Sequence, residues 1–438
     1  MPKPIKFIHT ADVHLGKELS CNGINNSNHK NLFSNAGKIA FENLVELAVN
    51  EEVDFIVVAG DLYDREARSV KASRFFLNQT QFLKEKGIDI YLISGNHDPA
   101  GMENEVFELP ENVHYFSSEE VEVKEYQKEG ITAARIIGQS YRQKFESRTM
   151  YNFYTAPDSS IFNIGLLHTA LSKDNNHYVP VNKGELLTKD DIDYWALGHL
   201  HQYQKINQQP AIYFSGTLQA HNISEEGNKG VILVEVDKNL NSKEKFISLA
   251  PVIYLKLKIN LEKEGLKNIS QLQNLITDEI NKMRDKITNQ NRNKNFQIKA
   301  VIIRLLIEGR TELHQHVENN REELEASLVN YFRQQNYRHY PVVWIHSLIF
   351  RTAKTLPDLK SLKNNNPLYQ NIKELIEESL TDAELNQELL AEWGQIWQGN
   401  QDNEDRENYK FYPEKKLQRE ILSEVERIII SELIEDGD

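Results

Sequence analysis

Mostly apolar runs recur along the first 250 residues, each closing on a polar cluster, with helix-period stretches between the first three. The runs at 5–9, 55–59, 90–93, 161–167 and 194–197 read as buried strands. Between them, 39–49 repeats apolar positions at Ile39, Phe41, Leu44, Val45, Leu47 and Ala48, and 70–86 has the same style. Strands alternating with helices predict an α/β layered domain, with functional groups in loops at the carboxyl ends of the strands. Runs at 211–215 and 230–236 add closing strands, and a break is expected near 237–245.

From Pro251 the pattern changes to strand (252–259), long helix (270–287), strand (297–307), helix (314–332) and strand (342–349), a small α+β piece. From Leu356 onward the chain is helical and acidic. Thr381-Asp382-Ala383-Glu384 has capping-box spacing and opens an amphipathic helix through Leu385, Leu389 and Trp393. A polar loop (398–408) and a second amphipathic helix (417–434) follow, and no internal repeat is found. The reading divides the chain at 1–245, 251–355 and 356–438.

Composition narrows the class. With 438 residues, 39% hydrophobic and 26% charged, the chain can bury a sizeable core. No apolar run approaches the ~18 residues of a membrane span, and the first 16 residues lack a signal-peptide layout. A single cysteine, Cys21, excludes an internal disulfide framework and a zinc site built on several thiolates. These features predict a cytoplasmic protein without a membrane partner. The net charge of −14 is uneven: about +6 over 251–360, about −11 over 361–438 and about −9 over 1–250. That balance opposes coating nucleic acid by bulk charge and leaves room for a local basic surface. Lys282, Arg284, Lys286, Arg292, Lys294 and Lys299 cluster around one helix-to-strand junction, either as a solvated face or as phosphate contacts.

The chemistry-bearing residues follow the strands in a fixed order. They are Asp12-Val13-His14, then Gly60-Asp61-Leu62-Tyr63-Asp64, then Gly95-Asn96-His97-Asp98, then His168, then Gly198-His199-Leu200-His201. Each cluster alone is a weak signal; five in succession at predicted strand ends are a strong one. Two divalent ions about 3.5–4 Å apart need a bridging ligand and terminal ligands for each. A carboxylate suits the bridge, and mixed Asp, Asn and His ligation suits Mn²⁺, Fe²⁺ or Zn²⁺ better than Ca²⁺. His9, His177 and His221 lie near the motifs and are read as supporting the ligands from outside or as merely structural.

These motifs resemble the calcineurin-like metallophosphoesterase superfamily, with its D-x-H, G-D-x-x-D, G-N-H-D, lone His and G-H-x-H pattern. The opening Lys6-Phe-Ile-His-Thr-Ala-Asp-Val-His-Leu-Gly16 is similar to the SbcD and YhaO branch of DNA repair exonucleases, related to Mre-type nuclease subunits. Ser215-Gly-Thr-Leu-Gln219 and Glu308-Gly-Arg-Thr311 fit the same branch. The resemblance implies a four-layer α-β-β-α nuclease domain, an α+β capping domain and a helical tail. It implies one ion held by Asp12, His14 and His201, a second by Asn96, His168 and His199, and Asp61 as the bridge. His97 would be the general acid, with Asp98 fixing its ring. Two divalent ions are implied, Mn²⁺ foremost, with Fe²⁺, Zn²⁺ or Mg²⁺ as alternatives. Asp64, where archaeal and eukaryotic relatives often carry histidine, is assigned to substrate together with Arg65, Lys282, Arg284 and Lys294. The implied partners are DNA ends, an SMC-like coiled-coil ATPase of the SbcC/YhaN type docked on the tail, and a second copy of the chain. A phosphatase or cyclic-nucleotide phosphodiesterase keeps the same fold with a smaller substrate. A scaffold that regulates the ATPase is the alternative of another class.

Overall fold

The computed structural model describes residues 3–21, 23, 29–64, 69–100, 107–174, 177–262, 264–292, 294–336, 339–355, 367–397 and 415–435. Residues 1–259, 273–306 and 322–349 form one compact unit, and 260–272, 307–321 and 350–438 form another.

Two six-stranded sheets build the first unit. One contains β1 (Ile5–Thr10), β2 (Phe55–Ala59), β3 (Asp89–Ile93), β4 (Val113–Tyr115), β11 (Gly230–Val236) and β12 (Ser242–Ser248), in the order β12-β11-β1-β2-β3-β4. The other contains β5 (Glu122–Lys128), β6 (Ile131–Gly138), β7 (Phe162–His168), β8 (Tyr194–Gly198), β9 (Gln204–Asn207) and β10 (Ala211–Phe214), in the order β5-β6-β7-β8-β10-β9. β1, β2, β3 and β4 run parallel, as do β6, β7, β8 and β10. Parallel neighbours put their carboxyl ends on the same edge, which is where the chemistry-bearing motifs follow.

Burial explains the layers. Phe7, Phe55, Phe162, Tyr194 and Ile232 belong to one buried cluster between the sheets, with Phe7 and Phe55 stacked at 5.2 Å. The other face of the first sheet packs Ile8, Ile56 and Leu92 with Leu44 and Phe76 of the helices Ala36–Asn50 and Val70–Glu85. The other face of the second sheet packs Leu167, Trp195 and Phe214 with Tyr154 and Leu186, the last from the short helix Lys183–Leu187. The result is an α/β architecture of two sheets between helical layers.

A third sheet orders β13 (Val252–Asn260), β14 (Ala300–Arg310) and β15 (Val342–Ala353) side by side. The long helix expected before β14 is Ile269–Asn291. The single helix expected over 314–332 is two, His314–Asn319 and Arg321–Asn336, interrupted at Asn320. The break expected near 237–245 is instead a tight turn, with Asp237 Oδ1 accepting from the amides of Asn239 and Asn241. It feeds β12, which pairs antiparallel with β11 along its whole length.

The carboxyl-terminal residues form helices Pro367–Thr381, Ala383–Trp397 and Lys415–Glu435. The expected cap at Thr381 lies one residue away, because Thr381 Oγ1 donates back to the Glu377 carbonyl of the preceding helix. Asp382 caps instead, its Oδ1 accepting from the Glu384 and Leu385 amides at 2.9 Å each. The polar loop expected at 398–408 lies outside the described residues. No described helix is long and apolar enough to cross a membrane.

Candidate metal centre

Five strands, three from one sheet and two from the other, deliver their terminal residues to one place. Asp12 and His14 follow β1, Asp61 and Asp64 follow β2, and Asn96, His97 and Asp98 follow β3. His168 ends β7, and His199 and His201 follow β8. The turns are tight enough to need left-handed backbone at non-glycine residues: φ is 49° at Asp12, 48° at His14, 55° at Asp61 and 102° at His199. Gly60, at φ 93°, does the same, and a Cβ there would stand 2.4 Å from His168 Nδ1. Gly198 is required by close approach rather than by a sharp turn, since a Cβ would meet the Ala59 carbonyl oxygen at 1.9 Å.

The donors converge in two groups. In the first, His14 Nε2 lies 3.2 Å from His201 Nε2, and His201 Nε2 lies 3.8 Å from Asp12 Oδ1. In the second, Asn96 Oδ1 lies 2.9 Å from His168 Nε2 and 3.1 Å from His199 Nδ1, and Asp61 Oδ2 lies 3.4 Å from His168 Nε2. Asp12, His14 and His201 could hold one cation, and Asp12, Asp61 and His168 likewise have ligand atoms within 4.8 Å of one another. Asp12, His14, Asp61, Asn96 and His168 are buried, while His199 and His201 are half-buried.

This donor set fits divalent cations. Burial, outweighing the nearby carboxylates, holds His14 well below its usual range and His199 at about 3, so both rings are neutral and offer lone pairs. His201 is instead raised, because Glu225, Asp12 and Asp61 outweigh its burial, and its Nε2 faces His14 Nε2 at 3.2 Å, so one cation could be shared by the two rings. Buried His168 would also be depressed, but the Asp61 carboxylate outweighs burial and raises it to about 9, while His168 holds Asp61 below its usual range. Asp61 thus draws positive charge to the centre of the cluster.

Partners outside the cluster aim the rings. His168 Nδ1 donates to the Ala59 carbonyl at 2.9 Å, which leaves Nε2 facing Asp61 and Asn96. His201 Nδ1 donates to Glu225 Oε1 at 3.1 Å, which leaves Nε2 facing His14. Glu225 is fixed in turn by the His221 amide and the Asn222 side chain, at 2.8 and 2.7 Å. The sequence reading missed Glu225, because it sits in a loop beyond the last motif with no spacing to mark it.

The carboxylate at the His97 ring is Asp64, whose Oδ2 lies 3.5 Å from His97 Nδ1 and 3.9 Å from His14 Nδ1. Lys17, also missed, donates to the same oxygen at 2.8 Å. The role expected for Asp98 is corrected accordingly. Its Oδ1 accepts from the Gly95 amide at 2.8 Å and its Oδ2 from the Tyr63 amide at 3.1 Å, so it ties the two turns together.

The remaining expected substrate residues sit in different surroundings. Arg284 is 8% exposed and turned inward, bonding Asn281 Oδ1 at 2.6 Å and the Asn336 side chain, so its guanidinium is spent on packing. Lys282 is exposed on the same helix and pairs with Glu279 at 2.7 Å. Lys294 is half-buried beyond the end of that helix, and Arg65 lies outside the described residues. His9 is a satisfied core histidine, bonded to the Tyr194 hydroxyl at 3.0 Å and the Leu197 carbonyl at 3.2 Å.

Residues 5–203 match the family model for calcineurin-like phosphoesterases. The chain is 37% identical over 288 residues to the uncharacterized metallophosphoesterase YhaO of Bacillus subtilis, spanning 64% of this chain and 69% of that protein. It is 24% identical over 368 residues to the SbcD component of the nuclease SbcCD of Staphylococcus epidermidis, spanning 76% and 94%. It is 25% identical over 242 residues to the DNA double-strand break repair protein Mre11 of Archaeoglobus fulgidus, spanning 50% and 52%.

Proposed function

The chain belongs to the calcineurin-like phosphoesterase family, a family of metal-dependent hydrolases, and from that premise we propose that it is a phosphodiesterase that trims DNA ends. The observation that carries the phosphodiester chemistry is the convergence on Asn96 and Asp61, where imidazole and carboxylate donors from both sheets each come within 3.4 Å of a neighbour. The DNA substrate is supported by the similarity to a nuclease component and to a break-repair protein.

Asp12, His14 and His201 would hold one divalent ion, Asn96, His168 and His199 the other, and Asp61 both. Bound there, such ions would supply Lewis-acid charge to the phosphoryl oxygens and lower the pKa of water. Mixed oxygen and imidazole donors suit Mn²⁺. The chain's own residues do the rest. His97 is 37% exposed at its side chain, so a substrate can reach it, and it gives a proton from Nε2 to the leaving oxygen. Asp64, steadied by Lys17, faces Nδ1 of the same ring and keeps Nε2 outward. Glu225 keeps His201 Nε2 on the cluster.

The helices of the carboxyl-terminal residues are the proposed dock for an SMC-like coiled-coil ATPase. In support, Leu375, Val425 and Ile428 are 58%, 37% and 51% exposed on helices that bond to each other through Tyr369 and Glu426.

Purified protein with Mn²⁺ and end-labelled linear DNA should shorten the labelled strand, and Asp61→Ala protein should not. Intact DNA beside steady hydrolysis of bis(p-nitrophenyl) phosphate would move the substrate to small phosphodiesters. Cleavage by the Asp61→Ala protein would remove Asp61 from the centre of the site.

A further inference from the structure

A ladder of rings leads away from the metal-binding side chains. Tyr178 lies against His199 with centroids 4.3 Å apart and planes inclined by 35°, His177 meets Tyr178 edge-on at 6.3 Å, and Phe145 leans on His177 at 4.8 Å with planes 54° apart. His199 and Tyr178 are half-buried, whereas His177 is exposed and Phe145 is 49% exposed.

The backbone beneath the ladder is fixed. The Glu146 amide donates to the His177 carbonyl at 2.9 Å, and the Val179 amide donates to the Glu146 carbonyl at 2.7 Å, so the two segments cross-brace each other. The Glu146 side chain is 3% exposed and accepts from the amides of Arg142 and Arg148 and from the Arg148 guanidinium. Lys144 lies 5.8 Å from the Phe145 ring centre, which puts one cation beside the rings. Exposed aromatic rings on a braced base, with a lysine beside them and a path of rings back to the candidate metal centre, offer a face on which a base of a single strand can stack.

We propose that Phe145 and His177 form a stacking platform for an unpaired nucleobase of the strand whose phosphate lies at the metal-binding side chains. The proposal rests on the nucleic-acid reading above and names what that site recognises: a base-bearing, locally unpaired end. Stacking is indifferent to base identity, because every base has a π face, so the platform selects for a base and not for a sequence.

The test compares two phosphate monoesters as competitors of bis(p-nitrophenyl) phosphate hydrolysis: thymidine 5′-monophosphate and 2-deoxyribose 5-phosphate, which lacks the base. The readout is the ratio of their inhibition constants within each protein, so a general change in activity cancels. Wild-type protein should bind the nucleotide about tenfold tighter, the ratio should fall towards one in the Phe145→Ala,His177→Ala variant, and Phe145→Trp should keep it. A ratio near one in the wild type, or a ratio unmoved by the double substitution, overturns the platform. Intact linear DNA with a high, substitution-sensitive ratio would sink the DNA-end reading and leave the platform standing for small nucleotides.

Discussion

A histidine that carries a proton and a carboxylate that aims a histidine leave different traces when each is removed. His97→Ala should keep metal content near that of the wild type while cutting phosphodiester cleavage by at least about 100-fold, because it takes away a proton donor and no ligand. Metal analysis beside initial rates checks this, and unchanged turnover would remove His97 from the reaction. Glu225→Gln should instead weaken metal affinity by about tenfold, read by calorimetric titration, because the charge that orients His201 is lost while the ligand stays. The seven candidate ligands were legible in the sequence because each stands within five residues of the end of an apolar run, where an α/β sheet presents its chemistry. Glu225 and Lys17 were not, since their importance arises only when loops distant in sequence meet around His201 and Asp64. Asp64 and Asp98 were both picked out, yet only the folded turns decide which one faces His97.

At the scale of elements, the interior strands of the two six-stranded sheets announced themselves, β6 excepted, and the edges of those sheets did not, whereas β13 and β15, the edges of the third sheet, stood out as strands. β1, β2, β3, β7, β8, β10 and β11 are apolar runs that the pattern finds to within a residue or two. β4, β5, β9 and β12 are the edge strands of the two six-stranded sheets, and β5 (EVKEYQK), β9 (QKIN) and β12 (SKEKFIS) are mostly polar and charged. Charged edges discourage pairing with another chain, so the same selection that makes a safe edge hides it from a search for apolar runs. β6 escaped for another reason: Arg135 interrupts its run, and the fold accommodates that guanidinium with Glu125 and Asp158, at 3.2 and 3.0 Å. The helix Val70–Glu85 lies where the periodicity puts it, and its start depends on Ser69, whose Oγ accepts from the Ala72 amide at 3.2 Å. Ser69→Ala should lower stability by about 1 kcal/mol with little effect on catalysis, measured by denaturant unfolding.

Across the whole molecule, every member of the candidate metal centre belongs to the first compact unit, while the acidic helices after residue 350 belong to the second. Removing residues 361–438 should therefore preserve hydrolysis of bis(p-nitrophenyl) phosphate and abolish co-purification with a coiled-coil ATPase; continued co-purification would refute the docking role. Removal also strips about eleven negative charges of an overall −14, so the shortened chain should hold DNA more tightly at low salt. The four left-handed residues, Asp12, His14, Asp61 and His199, reach beyond their own turns. Backbone of that kind costs about 1–3 kcal/mol at each non-glycine position, against a whole-protein stability of only about 5–15 kcal/mol. Breeding this chain for heat resistance alone, with no demand on its chemistry, would favour glycine at those four places early. The hardiest descendants would be the ones that had forgotten their trade.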